Sequence, residues 1–208
     1  MRTGLGHRGS GSRSTVDRVR AAMSAVDRRA FLPRDQIRFA HADMPLQIGY
    51  GATCSQPSTV AAMLELLDPE VGDKVLDVGS GSGWTTALLA ELVSPGGFVL
   101  GVEIEPALVE DGGGNLRAWG GADDVRARIE QAEPGRVGRP EEAPFDRILV
   151  SAAARRMPEG LLAQLGDGGR MVIPVRSRMM VVDRSGDEVT TRETGSFSFV
   201  PLRATGDE

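Results

Sequence analysis

The chain has 208 residues, of which 40 % are hydrophobic and 25 % charged, which is typical of one soluble globular domain. Its net charge of −5 implies no general affinity for nucleic acid, and no apolar run is long enough to span a membrane. The single cysteine excludes an intramolecular disulfide, and the two histidines, which lack ligand spacing, argue against a metal site. The single cysteine and the lack of an apolar leader favour a cytoplasmic location.

The N-terminal third is predicted to be a helical and loop-rich appendage, residues 14–69, to one domain that spans residues 14–208. Residues 1–13 are mostly Gly, Ser, Arg and His, which predicts a disordered tail. Ser14 and Asp17 resemble a capping box, and the helix that follows is expected to end near Arg28. Its apolar face would consist of Val16, Val19, Met23 and Val26.

Residues 43–57 are rich in glycine and proline and show no hydrophobic period, so they are predicted to form a loop. An unperiodic loop that carries Tyr, Thr, Ser and Gln side chains indicates a functional role. Pro57 suits the first position of the next helix, which Pro69 would stop.

The stretch V-L-D-V-G-S-G-S-G-W at residues 75–84 organises the rest of the chain. An apolar strand leads through three glycines into a helical pattern, as in nucleotide-binding α/β units. A dinucleotide fingerprint needs a glycine at the sixth position of its motif, and Trp84 stands there instead. The pattern of Asp77 followed by Gly79, Gly81 and Gly83 resembles motif I of the class I methyltransferases, which bind S-adenosyl-L-methionine.

Strands and helices alternate after this motif, and a hairpin is predicted late in the chain. Strands are predicted at residues 74–78, 98–103, 125–130, 145–150 and 171–175, with a hairpin at 179–193 and a last strand at 197–202. The predicted fold is therefore α/β: a doubly wound Rossmann-like methyltransferase sheet with helices on both faces and an antiparallel edge hairpin. Gly112, Gly113 and Gly114 fall inside a predicted helix, where they could break or loosen it.

A sulfonium nucleoside requires bare backbone beside its methionine moiety and an acidic group at its ribose. Gly79, Gly81 and Gly83, with Ser80 between them and Asp77 in the strand ahead of them, are the predicted cofactor contacts. Glu103 directly follows the second core strand, so it is predicted to accept hydrogen bonds from the ribose hydroxyls, although a surface charge at a strand end is the simpler alternative.

Several segments together resemble the protein-L-isoaspartate O-methyltransferase family. The segment D-M-P-L-Q-I-G-Y-G-A-T-C-S-Q-P at residues 43–57 is similar to its signature, and the likeness continues through P-E-E-A-P-F-D-R-I, S-A-A-A, G-G-R-M-V-I-P-V and F-S-F-V-P-L. The resemblance covers about residues 15–203. It implies a repair enzyme that uses S-adenosyl-L-methionine to methylate the α-carboxylate of L-isoaspartyl residues in damaged proteins or peptides, after which the ester cyclises to a succinimide.

The same resemblance implies roles for particular residues. Thr53 and Ser55 match the T-x-S element of the active site, where Ser55 would orient the substrate carboxylate, although Ser55 also suits the N-cap of the next helix. The predicted substrate-binding residues are Leu46, Gln47, Ile48, Gly49, Ser55, Ala153 and Ala154. A carboxylate is already ionised near pH 7, so the reaction requires alignment and exclusion of water rather than a catalytic base.

Two departures from the family pattern accompany these matches. Pro134 stands where the family carries an Asp beside the adenine, and Glu133 is predicted to substitute for that Asp. The glycines at 112–114 replace ordinary helix residues. Two alternatives therefore stay open: a dedicated aspartate methyltransferase that modifies a biosynthetic peptide, and a degenerate domain that binds cofactor without turnover. The expected protein is a monomer without nucleic-acid or membrane partners.

Overall fold

The computed structural model describes residues 14–120, 126–133 and 135–203, so the predicted tail and Pro134 lie outside the described residues. The helices are α1 (Thr15–Ala25), α2 (Pro57–Leu67), α3 (Trp84–Val93), α4 (Pro106–Trp119) and α5 (Glu159–Leu162). The strands are β1 (Leu46–Gly49), β2 (Ala52–Cys54), β3 (Lys74–Val78), β4 (Phe98–Glu103), β5 (Arg126–Gln131), β6 (Phe145–Val150), β7 (Leu165–Val175), β8 (Arg178–Ser185) and β9 (Glu188–Ser196).

The main sheet has the order β5-β4-β3-β6-β7-β8-β9, with β1 and β2 paired separately. The first five strands in this order, β5, β4, β3, β6 and β7, are parallel, and β8 and β9 add an antiparallel edge. This arrangement confirms the predicted sheet. The chain runs outward from β3 to β5 and then returns to the other side of β3 as β6. This change of direction opens a crevice at the carboxyl ends of β3 and β6, where ligands bind in sheets of this type.

Alternate residues along the strands pack into two hydrophobic clusters, one on each face of the sheet. Val75 packs on the face covered by helices α1 to α4, whereas Leu76 packs on the face covered by α5 and connecting segments. Because both faces are covered, the central strands are predominantly apolar, and this explains why β3, β4 and β6 are recognisable in the sequence. No helix in the described ranges combines the length and apolar character that a membrane crossing requires.

The segment at residues 43–57, predicted to be a loop, contains the β1–β2 hairpin, so that prediction is wrong. Leu46 pairs with Cys54, and the turn between the strands passes through Gly49, Tyr50 and Gly51, all at positive φ. The strands have only four and three residues, which is too short for a hydrophobic period to be visible.

The predicted last strand at residues 197–202 is also absent. Strand β9 already forms the edge of the sheet, and the segment after it makes a single bridge from Pro201 to Ala153. Proline has no amide hydrogen, so a longer ladder is disfavoured at this point. The segment instead runs across the end of the sheet, where Ala153 donates to the carbonyl of Val200 and Leu202 donates to that of Ala153.

Several boundaries differ from the predictions. Helix α1 ends at Ala25 rather than near Arg28, because Val26 is extended and a 3₁₀ turn follows at Arg28–Phe31. Helix α5 is a single turn, and the predicted turn at residues 166–169 belongs to β7. Helix α4 continues unbroken through its three glycines, so of the two expected effects, a break or a loosening, the break is wrong.

Candidate active site

The glycine turn after β3 lies at the crevice of the sheet. Gly79, Gly81 and Gly83 have φ values of 79°, 52° and 90°, a region in which a side chain would strain the backbone. The amides of Gly79 and Ser80 both donate to the carbonyl of Val102 in the neighbouring strand. The turn is therefore held against β4 by its own backbone and exposes peptide groups to the crevice.

Helix α4 packs directly on this turn. A Cβ atom built on Gly112 would lie 2.6 Å from the carbonyl oxygen of Gly81, and one on Gly83 would lie 2.9 Å from the carbonyl oxygen of Gly112. The side-chain amide of Asn115 donates to the carbonyl of Ser82 at 3.0 Å. The glycine run in α4, which reads as a departure in the sequence, thus includes the residue that permits this backbone contact.

Glu103 ends β4 with its carboxylate facing the glycine turn. Its side chain is buried, and Oε2 accepts from the Gly81 amide at 3.0 Å. The other oxygen accepts from the amides of Ile104 and Glu105 at 2.8 and 3.1 Å. A carboxylate offers about four acceptor positions, so three backbone bonds fix the group and leave one position on Oε2. Glu103 is therefore an oriented acceptor rather than a mobile surface charge.

A cavity of about 160 Å³ opens over these groups. The ends of four parallel strands contribute to it, through Gly79, Glu103, Ala132 and Ser151. Three further walls come from the β1–β2 hairpin, the segment at residues 136–138 and the C-terminal segment at residues 197–203. The hairpin contributes Tyr50 and Thr53, the second segment Val137 and Gly138, and the C-terminal segment Val200 and Arg203. The cavity therefore combines bare backbone, one carboxylate and apolar walls, as a nucleoside pocket requires.

A smaller cavity of about 30 Å³ adjoins the glycine turn and is lined largely by residues that carry hydroxyl groups. Its hydroxyl-bearing residues are Thr53, Ser55, Ser80, Ser82, Thr85 and Ser151. Thr53, Gly79, Gly81 and Ser151 line both cavities, so the two spaces share a wall. The buried hydroxyl of Ser80 has no hydrogen-bond partner within the described ranges, which is the kind of group that a polar ligand satisfies.

Ser55 does not act as the N-cap of α2. That position is Gln56, whose side chain makes no cap bond, and the carboxylate of Asp43 accepts from the Ser58 amide at 2.9 Å. This bond is the main reason that the pKa of the Asp43 carboxyl lies below its ordinary value. Because Asp43 satisfies the helix end, the Ser55 hydroxyl is not needed there and can serve the smaller cavity.

Asp77 lies behind the glycine turn rather than along either cavity. Its Oδ2 accepts from the hydroxyls of Thr86 and Thr85 at 2.7 and 2.8 Å, whereas its buried Oδ1 has no partner among the residues described. Burial raises the pKa of this carboxyl to about 6, even though the two hydroxyls lower it. The side chain joins β3 to the start of α3.

The remaining predicted substrate residues are divided between the core and the surface. Leu46 and Ile48 are buried, whereas Gln47 and Gly49 are exposed on the other side of β1. The end of the Ile48 side chain would lie 3.1 Å from a Cβ on Gly81, so the hairpin packs against the glycine turn. Ala153 and Ala154 bridge to the C-terminal segment and β7, and the cavity wall is formed by their neighbours Ser151 and Ala152.

Sequence reasoning missed the C-terminal segment and the loop before β6 as cavity walls. Val200 and Leu202 reach the cavity through their hydrogen bonds with Ala153. The loop is held from beneath by the buried Gln164, which accepts from the Arg139 amide at 2.7 Å and donates to the carbonyl of Val137 at 2.8 Å. The F-V-P-L match was the only available signal for the first wall.

Glu133 is exposed and forms ion pairs with Arg136 and Arg139 at 2.9 and 3.4 Å, and it does not line the cavity. Exposed ion pairs typically contribute about 1 kcal/mol or less to the free energy of unfolding. We therefore expect Glu133→Gln to change the affinity for S-adenosylhomocysteine by less than about fivefold, as measured by calorimetry. A loss of tenfold or more would instead support direct contact between this carboxylate and adenine.

Together the sheet order, the glycine turn and the oriented acidic group at the end of β4 define a Rossmann-like methyltransferase. The family model for protein-L-isoaspartate(D-aspartate) O-methyltransferase matches residues 9–206. The chain belongs to this family.

Individual relatives agree with this placement. The chain is 47 % identical over 191 residues to a protein-L-isoaspartate O-methyltransferase from Methanopyrus kandleri, covering 89 % of this chain and 83 % of the relative. One from Anaeromyxobacter dehalogenans is 45 % identical, with 95 % and 93 % covered. A crystal structure from Plasmodium falciparum, described as a protein-L-isoaspartate O-methyltransferase in complex with S-adenosyl-L-homocysteine, is similar with a TM-score of 0.78 at 26 % identity and 90 % coverage of both chains.

Proposed function

We propose that this protein is an S-adenosyl-L-methionine-dependent carboxyl methyltransferase that acts on L-isoaspartyl residues of damaged proteins or peptides. The observation that carries the proposal is the smaller cavity, which Thr53 and Ser55 line together with the glycine turn. Family membership supplies the substrate class, because the relatives carry the name of this activity.

The residues of the crevice fit the cofactor. Gly79 and Gly81 leave their peptide groups accessible, the buried Ser80 hydroxyl has no partner among the described residues, and Glu103, which lines the larger cavity, keeps an acceptor position. The glycine turn would hold the methionine moiety and Glu103 the ribose. When bound, S-adenosyl-L-methionine supplies an electrophilic methyl group.

The chain's own contribution to the reaction is orientation. The Ser55 and Thr53 hydroxyls would donate to the isoaspartyl α-carboxylate and hold one of its oxygens toward the glycine turn. A carboxylate is ionised at neutral pH, so no proton has to be removed. The C-terminal segment and the hairpin turn border the larger cavity and would exclude water from the bound substrate.

The direct test is methyl transfer from labelled S-adenosyl-L-methionine to an isoaspartyl peptide, with the same peptide carrying normal aspartate as the control. Transfer to the isoaspartyl peptide alone supports the proposal. Transfer to neither peptide, combined with measurable S-adenosylhomocysteine binding, would favour a non-catalytic domain. Equal transfer to both would favour an aspartate methyltransferase with a different client.

Ser55→Ala is expected to lower turnover by about 10- to 150-fold, because a hydrogen bond to a charged group contributes about 1.5–3 kcal/mol. S-adenosylhomocysteine affinity should stay close to wild type, since the proposal assigns the Ser55 hydroxyl to the substrate carboxylate and not to the cofactor. Ser58→Ala is the matched control, because Ser58 is exposed at the start of α2 and lines neither cavity. Wild-type turnover with weakened cofactor binding in Ser55→Ala would contradict the assignment.

The proposal also includes a cytoplasmic monomer without a nucleic-acid partner. This part rests on composition, namely the net charge of −5 and one cysteine. Sedimentation of the purified protein would reject the monomer if the mass doubled.

A further inference from the structure

Arg28 carries a positive charge in the interior of the N-terminal region. The residue is 5 % exposed, and in the described ranges it forms no ion pair with a carboxylate. A buried charge is costly unless hydrogen bonds satisfy it. Other interactions must therefore offset the free-energy cost of burying the Arg28 charge.

Five backbone carbonyls accept hydrogen bonds from the Arg28 guanidinium. Nη1 donates to Ala40 and Ala42, both at 3.2 Å. Nη2 donates to Met44 at 2.9 Å, Cys54 at 2.9 Å and Ser55 at 2.8 Å. One side chain thus connects the 3₁₀ turn after α1, the segment that leads into the hairpin, and the backbone of the proposed active-site serine.

The guanidinium also stacks on the first residue of α3. Its Cζ lies 5.2 Å from the centroid of the Trp84 ring, a distance suited to a cation–π contact. The Trp84 indole in turn donates to the carbonyl of Val26 at 3.3 Å. Because α3 begins directly after the glycine turn, this contact relates the position of Ser55 to the turn that would hold the cofactor.

We propose that Arg28 is a positioning residue for methyl transfer, which fixes Ser55 relative to the glycine turn through this network. The inference rests on the proposed function. Arg28 lies behind Cys54, Ser55 and Trp84, all of which line the smaller cavity, and it does not line that cavity itself. Its role is therefore to hold the cavity wall and not to contact the substrate.

The planar guanidinium suits this role and an ammonium does not. In Arg28 the two Nη atoms of a rigid planar fork serve all five carbonyls, and Nε has no partner among the described residues. Lysine presents three donors on one nitrogen and cannot reach carbonyls on three segments with the same geometry. Arg28→Lys keeps the charge and removes the fork. The substitution consequently separates positioning from a simple electrostatic attraction of the carboxylate.

The experiment compares Arg28→Lys with Arg29→Lys, its neighbour in an exposed ion pair with Asp27. For Arg28→Lys we expect kcat with an isoaspartyl peptide to fall about tenfold or more, with S-adenosylhomocysteine affinity within about threefold of wild type. Arg29→Lys should leave both values close to wild type. Wild-type kcat in a folded Arg28→Lys protein would overturn the proposal, and the charge alone would then suffice.

The proposed function is tested separately, by measuring methyl transfer with the wild-type protein. If wild type transfers no methyl group to the isoaspartyl peptide, the function itself is rejected. If wild type is active, only the comparison of variants decides the role of Arg28.

A second variant covers the case in which Arg28→Lys loses its cooperative unfolding transition. Arg28→Ala would be titrated with ethylguanidinium and, at the same ionic strength, with ethylammonium. Recovery of both the transition and turnover with ethylguanidinium alone supports positioning by the fork. Recovery of the transition without turnover, equal recovery with ethylammonium, or no recovery would overturn it.

Discussion

Gly112→Ala is expected to destabilise the protein and weaken S-adenosylhomocysteine binding. The new Cβ would lie 2.6 Å from the carbonyl oxygen of Gly81 and 3.2 Å from the carbonyl carbon of Ser82, both backbone atoms. The helix and the glycine turn must therefore move apart. Overpacking of this kind costs about 1–3 kcal/mol, and displacement of the turn should lower affinity by about tenfold or more. Denaturant unfolding and calorimetry measure the two effects.

Gly114→Ala is the matched control in the same helix. A Cβ built on Gly114 meets no atom within 4 Å, and alanine is a better helix former by about 1 kcal/mol. This variant should be more stable than wild type and bind S-adenosylhomocysteine equally well. Both variants gain the same helix propensity, so they should differ in unfolding free energy by the overpacking cost alone, roughly 1–3 kcal/mol. Equal behaviour at both positions would mean that α4 does not need its close approach to the turn.

Asp77→Asn is expected to change how the stability of the ligand-free protein depends on pH. Burial raises the pKa of Asp77 to about 6 in the folded protein, above its ordinary value of 3.8. Between these two values the folded state binds more protons than the unfolded state, so the free energy of unfolding falls as pH rises. The contribution of Asp77 should therefore decrease by roughly 3 kcal/mol from below pH 4 to above pH 6.

The measurement is urea unfolding of wild type and Asp77→Asn across this range. Asparagine does not titrate, so the stability of wild type relative to the variant should decline from acidic to neutral pH. Other carboxylates titrate in both proteins and largely cancel in the difference. A difference that stays flat would show that folding leaves the pKa of Asp77 unchanged, and one that grows with pH would show that its carboxylate is stabilised in the charged form.

The elements around the glycine turn could be predicted from the sequence because their signals are local. Strands β3, β4 and β6 are mostly buried and are predominantly apolar, and they have the predicted boundaries. Pro57 begins α2 and Pro106 begins α4, as expected of proline in a first helical turn. The order of these elements determined the doubly wound sheet, and the motifs within them determined the family.

The environment of particular residues could not be predicted in the same way. The hairpin strands are too short to show a period, and Asp43 caps α2 although it lies 15 residues before Ser58. The three glycines of α4 look alike in the sequence. A Cβ atom on Gly112 would nevertheless contact the backbone of the glycine turn, whereas one on Gly114 would have no described atom within 4 Å. The difference depends only on which side of α4 faces the turn.

The sequence by itself determined the class of sheet, the glycine turn, Glu103 at the end of β4 and the family signature around Thr53 and Ser55. Only the tertiary structure decided that Asp77 lies behind the turn, that the C-terminal segment forms a cavity wall, and that Arg28 binds the carbonyl of Ser55. Local hydrophobic patterns in the sequence indicate whether a residue faces the hydrophobic core. Hydrogen bonds and close approaches between distant segments depend on how the elements pack, and no local pattern contains that information.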